Sequence, residues 1–222
     1  MYGLDSYPIK RHLLCVLPLV LTMFLLWFMV GPDSSMAAYF AAHREAHPAL
    51  TRAMQIITTW ANAPLYIFYA VLLLSAWRNK SMPLRNFVLG AAAGFLVAFI
   101  LCEICKIAVG RQRPLTGNGF APFSFTNANH SFPSGHTTRI LSSALPIAHR
   151  YGNILLALTL GCLIALVGFS RVYLSWHYPS DILGGLIMGS IGGYVAWRVS
   201  RSSWLLKNPK KMESATVTNT RP

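Results

Sequence analysis

The sequence predicts an all-α membrane protein, a bundle of six transmembrane helices. Two observations on composition support this fold class: 54% of the 222 residues are hydrophobic and only 11% are charged. Few soluble domains carry so little charge. A third observation is that the apolar residues form six runs of about the length that an α-helix needs to cross a bilayer. We expect one membrane domain over residues 1–206 and a disordered basic tail at 207–222.

Each predicted span is bounded by polar or helix-breaking residues. The first apolar run, beginning at residue 12, is too long to be the core of a usual signal peptide. A short helix at 34–47 is expected to lie at the membrane interface. The predicted spans cover residues 12–30, 54–77, 87–109, 134–150, 153–173 and 180–198. In the last span Gly185, Gly189 and Gly193 recur every fourth residue, which allows another helix to approach closely.

The distribution of positive charge predicts the orientation. With six spans, the two termini share one side of the membrane with the 78–85 loop and the 149–152 turn. Twelve of the 19 Lys and Arg residues lie in or next to these segments: Lys10, Arg11, Arg78, Lys80, Arg85, Arg150, Arg198, Arg201, Lys207, Lys210, Lys211 and Arg221. Basic segments stay in the cytoplasm, so we expect both termini to be cytoplasmic and the loop at 110–132 to be external.

Composition also argues against several other functions. The net charge of +13 would suit a nucleic-acid-binding protein, but the cations are dispersed between apolar runs and form no basic domain. All four cysteines lie inside apolar runs: Cys15, Cys102, Cys105 and Cys162. They are typical of small buried hydrophobic residues. Neither a disulfide framework nor a zinc site is expected from them.

Three polar clusters interrupt the apolar sequence at 106–114, 133–136 and 170–181. Each lies where an apolar run ends on the predicted outer side, so the three could meet at one membrane face. Five Lys and Arg residues lie in or beside them: Lys106, Arg111, Arg113, Arg139 and Arg171. This side should be poor in cations. An anionic ligand at the outer surface would explain why they are there.

Lys106 and Arg113 supply two kinds of positive charge. Lysine offers a compact charge, whereas arginine offers a planar fork that binds two phosphate oxygens. An ionisable side chain near a span is a functional candidate. The alternative is that Lys106 extends to the interface or pairs with Glu103, three residues earlier.

The segment 133–136 is typical of a helix start. Ser134 suits the N-cap, and Gly135 allows a ligand to approach the backbone. Free amides at such a helix end bind anions, and His136 would stand beside the bound group. The alternative is an ordinary capped helix.

The third cluster pairs a histidine with a carboxylate. Pro179 suits a first helical position and Asp181 a first turn. Asp181 could accept a proton from one ring nitrogen of His177, leaving the other nitrogen free to attack. The alternative is an interface histidine hydrogen-bonded to a capping aspartate.

The three clusters together contain Lys-x6-Arg-Pro, Pro-Ser-Gly-His and Ser-Arg-x5-His-x3-Asp, in that order. This combination resembles the type 2 phosphatidic acid phosphatase superfamily, which also includes vanadium haloperoxidases and acid phosphatases. All three motifs match residue for residue and cover about a third of the chain. The six-span layout resembles the membrane branch of that superfamily, so a haloperoxidase is not expected.

The resemblance implies a role for each motif residue. Those that would hold the phosphoryl group are Lys106, Arg113, Ser134, Gly135 and Arg171. His177 would be the nucleophile and pass through a phosphohistidine, oriented by Asp181. His136 would protonate the leaving oxygen and later help to activate water. No metal or other cofactor is expected, because the fixed cations neutralise the developing charge.

Three further charges lie beyond the motifs. Arg111, Arg139 and Glu103 are possible additional substrate contacts. Arg139 could reach a second phosphate or could instead pair with Glu103; the sequence leaves both interpretations open.

The resemblance implies a bacterial inner-membrane lipid phosphatase whose site faces the periplasm. Its substrate would be undecaprenyl diphosphate, phosphatidylglycerol phosphate, phosphatidic acid or a lipid A phosphate. Two alternatives are a lipid-to-lipid phosphotransferase and a non-enzymatic phospholipid binder or transporter. The partners expected are the lipid phosphate and membrane lipids, with no obligatory protein partner and no nucleic acid.

Overall fold

The computed structural model describes residues 6–117 and 119–202, so the predicted tail at 207–222 lies outside the described residues. The α-helices are α1 (Ile9–Val30), α2 (Asp33–Ala46), α3 (Pro48–Trp60), α4 (Ala63–Arg78), α5 (Met82–Val109), α6 (Gly135–Tyr151), α7 (Ile154–Tyr173) and α8 (Pro179–Ser200), with a short 3-10 helix at Asn127–Asn129. The described ranges contain no β-strand, which confirms the all-α prediction.

Five helical segments are long and apolar enough to cross a membrane. They are Ile9–Val30, Pro48–Arg78, Met82–Val109, Ile154–Tyr173 and Pro179–Ser200. The second combines α3 and α4, which are separated by a turn at residues 61–62. The prediction of six spans is not confirmed. The remaining helix, α6, has 17 residues, fewer than the roughly 20 that a typical span needs.

The helix α6 is largely enclosed by the rest of the bundle. It packs against α1, α5, α7 and α8. Thr137, Thr138, Ser142 and Ser143 are all buried along its length. Because neighbouring helices surround these side chains, they meet protein rather than lipid. A central position therefore explains why α6 is less apolar than the helices that surround it.

Glycines on α8 allow it to approach α6 closely, as the four-residue spacing predicts. A Cβ placed on Gly185 would lie 2.6 Å from the carbonyl oxygen of Ser134, and one on Gly189 would lie 2.7 Å from Cβ of Leu141. Neither position has room for a side chain. Small residues permit this kind of backbone contact between helices, and here it brings the start of α6 against the start of α8.

Backbone hydrogen bonds join three helix ends at one end of the bundle and close the turn after a fourth. The amide of Ser134, before α6, donates to the carbonyl of Asp181 in α8 at 2.9 Å. The amide of Ser131 donates to the carbonyl of Arg111, just after α5, at 2.9 Å. The amide of Trp176 donates to the carbonyl of Arg171, near the end of α7, at 3.0 Å. The three polar clusters therefore meet, as the sequence predicts.

Candidate active site

His177 lies in the turn between α7 and α8 and is buried. Its Nδ1 is 2.7 Å from the carbonyl oxygen of Ser131. A carbonyl oxygen only accepts hydrogen bonds, so Nδ1 carries the proton and Nε2 keeps its lone pair. Burial lowers the pKa of His177 to about 4, against a smaller opposing effect of Asp181. The imidazole is therefore neutral at neutral pH, which is the form that can act as a nucleophile.

Asp181 lies in the first turn of α8 and is fully buried. Its Oδ2 lies 3.5 Å from Nδ1 of His177. The same oxygen accepts from the Ser131 hydroxyl at 2.5 Å and from the Tyr178 amide at 2.9 Å. Asp181 thus fixes both the helix start and Ser131, whose carbonyl is the shorter contact of His177. The sequence predicts the pair but not Ser131 as its link.

Arg111 ties Asp181 to the start of α2. One guanidinium nitrogen donates to Oδ1 of Asp181 and to the hydroxyl of Ser180, each at 2.6 Å. The other donates to Oδ2 of Asp33 at 3.0 Å. Asp33 also accepts from the hydroxyl of Ser180. The Arg111 guanidinium stacks on the ring of Tyr178, 4.1 Å from its centroid. Both terminal nitrogens of the Arg111 guanidinium therefore donate hydrogen bonds to protein side chains.

The start of α6 forms a second part of the site. Ser134 is the N-cap, and its hydroxyl accepts from the hydroxyl of Thr137 at 3.1 Å. Helix geometry leaves the amides of Gly135 and His136 without intrahelical partners. A Cβ built on Gly135 would lie 3.0 Å from Nζ of Lys106 and 3.7 Å from Nη2 of Arg139. Free amides and two cations therefore converge on one point, which suits an anion.

Arg113 and Arg171 form a third part, organised around Trp176. Arg113 donates to the carbonyl of Trp176 at 3.0 Å. The guanidinium of Arg171 lies over the Trp176 ring, 4.2 Å from the centroid, and donates to the hydroxyl of Thr58 at 3.1 Å. Arg171 is buried, and its Nε has no hydrogen-bond partner among the described residues. A buried donor without a partner is costly, so Nε is available to a bound oxygen.

These parts lie within electrostatic range of one another. The charges acting on His136 include Arg171, Arg139 and Lys106, together with His177. Arg113 acts on both Arg171 and His177.

The converging arginines have little negative charge to balance them. Within the described ranges, Arg113, Arg139 and Arg171 have no carboxylate within 4.0 Å. Clustered like charges without acidic partners are unfavourable unless an anion binds among them. This cluster of arginines therefore suits an anionic, phosphate-like ligand.

A family model with the description "PAP2 superfamily" matches residues 87–204. The match covers more than half of the chain, from α5 through α8, and includes all three motifs. The chain belongs to the PAP2 superfamily.

Named members of the PAP2 superfamily are similar to this chain. Undecaprenyl-diphosphatase BcrC of Bacillus subtilis (strain 168) is 30% identical over 162 residues, which cover 72% of this chain and 81% of that protein. Lipid A 1-phosphatase of Rhizobium johnstonii is 37% identical over 125 residues, covering 53% of this chain and 50% of that protein. Lipid A 4'-phosphatase of Porphyromonas gingivalis is 30% identical over 132 residues, covering 54% and 55%. The chain thus spans about half the length of the two lipid A phosphatases. No solved structure gives a significant match.

The structure also bears on the alternatives left open for the charges near α5. Lys106 donates to Glu103 at 2.6 Å, so these two side chains form the ion pair that the sequence allows. Arg139 does not pair with Glu103; its Nε donates to the carbonyl of Gly135 at 3.1 Å. Of the two interpretations of Arg139, the one that makes it the partner of Glu103 is therefore not supported by the geometry.

Several residues of the site carry no signal that sequence reasoning could use. Ser131 acts on His177 through its backbone carbonyl, which every residue has. Thr58 and Asp33 come from α3 and the start of α2, far from the motifs in sequence. Trp176 is the exception, because its position between Arg171 and His177 makes it a natural candidate to pack against both.

The described residues contain no group of three or more His, Cys, Asp or Glu side chains arranged to hold a metal ion. That the reaction needs no metal stays a prediction.

Proposed function

We propose that this lipid phosphatase transfers a phosphoryl group from a lipid to Nε2 of His177 and then to water. The observation that carries the proposal is the hydrogen bond from Nδ1 of His177 to the Ser131 carbonyl. It fixes the tautomer with a free lone pair on Nε2, beside Arg113 and Arg171, which have no carboxylate partners within 4.0 Å among the described residues. An imidazole held in this way needs no base to activate it.

The first step breaks the bond between phosphorus and the leaving oxygen as Nε2 of His177 bonds to phosphorus. Arg113, Arg171 and Lys106 bind the phosphoryl oxygens, together with the amide of Gly135. His136 donates a proton to the leaving oxygen, which departs as the lipid alcohol or lipid monophosphate. Burial, and after it the neighbouring cations, disfavour protonation of His136, and the bound phosphate offsets that effect.

The second step hydrolyses the phosphohistidine. Water attacks phosphorus and loses a proton to His136, while the phosphorus–nitrogen bond breaks and its electron pair returns to Nε2 of His177. Inorganic phosphate leaves, and both histidines return to their starting states. If a second lipid alcohol replaced water, the same residues would carry out phosphotransfer.

A polyprenyl diphosphate is the substrate class that we place first. A relative whose alignment covers 72% of this chain is named an undecaprenyl-diphosphatase. The site also has two pairs of cations, Lys106 with Arg139 beside Gly135 and Arg113 with Arg171 beside Trp176. Two such pairs suit two linked phosphates. A phosphate of lipid A is the second candidate, because relatives with that name match the part of the chain that carries the motifs.

We propose that the site faces the outer side of a bacterial inner membrane. This orientation is supported by the basic segments around the 78–85 loop and both termini. Thr116, which is exposed in the loop after α5, provides a test. A Thr116→Cys variant should react with an impermeant thiol reagent in intact spheroplasts. Reaction only after permeabilisation would contradict the orientation.

The reaction itself can be tested with purified protein in detergent. Undecaprenyl diphosphate should release phosphate in the presence of EDTA, and vanadate should inhibit by occupying the phosphoryl position. Quenching with alkaline detergent during turnover with radiolabelled substrate should trap label on the wild-type protein, bound through an acid-labile, alkali-stable linkage. A His177→Ala variant should trap none. Turnover without any trapped label, or trapping by the variant, would contradict the phosphohistidine.

A further inference from the structure

The loop after α5 carries large apolar side chains that the bundle does not cover. Leu115 is 66% exposed, Phe120 63%, Phe123 75% and Phe125 81%. The rest of the external segment is rich in Gly, Pro, Asn, Ser and Thr. Large apolar groups gathered in one short segment outside a core mark a surface that meets another apolar phase.

Backbone hydrogen bonds fix the height of this loop relative to the membrane. The amide of Phe123 donates to the carbonyl of Ile107 at 2.7 Å, and the amide of Ala121 donates to the carbonyl of Gly110 at 2.8 Å. Ile107 lies in the last turn of α5, a helix apolar enough to span. Two residues of helix correspond to about 3 Å along the axis. Phe123 therefore lies at the level where the span ends.

The base of the loop packs directly against the end of α5. A Cβ on Gly110, which has a φ of +60°, would lie 1.7 Å from the carbonyl oxygen of Ala121. The amide of Gln112 donates to the carbonyl of Gly119 at 3.0 Å and continues the same pairing. The aromatic rings therefore project from a loop that is anchored to the helix end.

Phe123 also adopts a backbone conformation that does not favour an aromatic residue. Its φ is +60°, in the left-handed region that Gly and Asn occupy more readily. Phenylalanine at this position gains no core packing, since its ring is exposed. A ring held at an unfavourable φ is consistent with a function for the ring outside the bundle.

The charge of the loop matches one kind of surface. Between residues 104 and 180 the sequence contains no Asp or Glu, and residues 110–132 include Arg111 and Arg113. Phe and Leu side chains of interfacial segments insert at the boundary between head groups and acyl chains, and a segment without acids is not repelled by anionic lipids. A bilayer is also the apolar phase that lies beside the end of α5.

We propose that residues 115–117 and 119–125 form an interfacial anchor whose Leu115, Phe120, Phe123 and Phe125 side chains insert into the leaflet beside the phosphate site. The occupant of this apolar surface is the lipid bilayer itself. Because Arg113 and Arg111 lie in the same loop, the anchor sets these side chains at head-group level. A lipid phosphate would then reach the cations without leaving the membrane.

The position of the loop can be measured without any assay of catalysis. The thiols of Cys105 and Cys162 are accessible, so both are first replaced by Ala. Single Phe123→Cys and Phe125→Cys variants are labelled with a small fluorophore and reconstituted in phosphatidylethanolamine and phosphatidylglycerol vesicles. An Ile104→Cys variant, at an exposed position on α5, serves as the lipid-facing reference, and labelled glutathione serves as the aqueous one.

Head-group nitroxide lipids should quench the labels at positions 123 and 125 to an extent within about twofold of the quenching measured for the Ile104→Cys label. Iodide should quench these two labels about fivefold less than it quenches labelled glutathione. The proposed anchor would be overturned if iodide quenched these labels as strongly as labelled glutathione and nitroxide lipids did not quench them. The rings would then be a surface for a soluble protein.

A triple variant, Phe120→Ser with Phe123→Ser and Phe125→Ser, provides a second measurement. Its KM for substrate in vesicles should rise about fivefold, while its KM for a water-soluble short-chain lipid phosphate should stay within about twofold of wild type. An equal change in both KM values would also overturn the anchor. Absence of phosphate release from either substrate by the wild type would instead contradict the proposed function.

Discussion

Two buried histidines lie near opposite ends of the central helix α6 and have different surroundings. His177 is held by the Ser131 carbonyl and Asp181, beside arginines that have no acidic partner. His149, near the other end of α6, packs edge-on against Tyr7 and stacks on His12. Neither ring nitrogen of His149 has a hydrogen-bond partner among the described residues. Burial is common to both, so burial alone does not distinguish a catalytic histidine.

The arginines near the two histidines differ in the same way. Arg11 donates to the carbonyl of His149 at 2.7 Å, and Arg150 lies over the rings of Phe87 and Tyr151. These cations are satisfied by backbone and aromatic groups. At the other end Arg171 has a buried Nε without a partner. What marks the site is therefore an oriented imidazole beside an arginine whose buried Nε still lacks an acceptor among the described residues.

Replacing each histidine with glutamine should give opposite results, and this is the largest effect expected. His177→Gln removes the proposed nucleophile and should lower kcat by at least about 1000-fold. His149→Gln should leave kcat within about threefold, because that ring contacts only packing partners. Phosphate release by the two purified variants, with circular dichroism to confirm that both fold, measures the difference. Comparable losses from both variants would show that burial, rather than orientation, explains the effect.

Substitution of Arg171 should have the next largest effect. Lysine keeps the charge but loses the planar fork that reaches Thr58 and the unpaired Nε position. Arg171→Lys should lower kcat/KM by about 100-fold, or about 2.7 kcal/mol of transition-state stabilisation. The matched change Arg150→Lys, at the opposite end, should alter it by less than about twofold. Steady-state kinetics on one lipid substrate compares the two variants. Wild-type activity in Arg171→Lys would contradict a role for the planar guanidinium of Arg171.

The sequence was sufficient to predict the clusters but not the way in which they are joined. Lys106, Ser134 and Asp181 lie at helix ends that hydropathy can locate, so their meeting at one face follows from the order of the apolar runs. The support from Ser131 acts through a carbonyl and carries no residue signature. The contact of Asp33 with Arg111 depends on where α2 returns to the bundle, which is a tertiary property.

The span count shows the same limit. The run that becomes α6 has enough apolar residues to resemble a span, but it also contains Arg139, Ser142 and Ser143. Hydropathy describes contact with lipid, whereas the surroundings of α6 are other helices. The sequence could not show that this segment is central, because that depends on which helices enclose it.

The pKa of His177 provides a measurement of stability rather than of rate. The folded value is about 4, below the ordinary value near 6.5, so the unfolded state binds a proton more readily. The contribution of this group to stability is therefore present above pH 6.5 and is lost as pH falls toward 4. Relative to His177→Gln, the wild type should lose on the order of 2 kcal/mol of unfolding free energy between pH 7 and 4.5.

Denaturant titration in detergent at both pH values measures this difference. The pair of curves should converge or cross as pH falls, because only the wild type has an imidazole at position 177 to protonate. A constant gap between the variant and the wild type would show that His177 is not held in its neutral form by burial.

Substitution of Asp33 tests the contacts that hold Asp181 in place beside His177. Its carboxylate holds Arg111 and Ser180, which in turn position Asp181. Asp33→Asn keeps the shape but removes the charge, and it should lower kcat about 10-fold while KM changes by less than about twofold. A change in KM alone, with kcat intact, would indicate that Arg111 contacts the substrate rather than orienting Asp181.

Arg139 should show the smallest effect and the most selective one. Its Nη2 lies beside Gly135 with Lys106, and it has no ion pair with Glu103, so it is available to a second phosphate. Arg139→Ala should lower kcat/KM for undecaprenyl diphosphate about fivefold, and for phosphatidic acid by less than about twofold. Arg150→Ala, which removes a cation at the opposite end, should change neither.

A diphosphate and a monophosphate assayed in the same micelles separate the two possible roles of Arg139. A selective loss would place the second phosphate beside the start of α6 and would support a diphosphate substrate. An equal loss on both substrates would mean that Arg139 acts on the phosphate common to both, or on the fold. A Glu103→Gln, Arg139→Ala double variant then tests whether Arg139 acts through Glu103, since recovery of activity would require the two charges to interact. The separate contacts of Glu103 and Arg139 predict no such recovery.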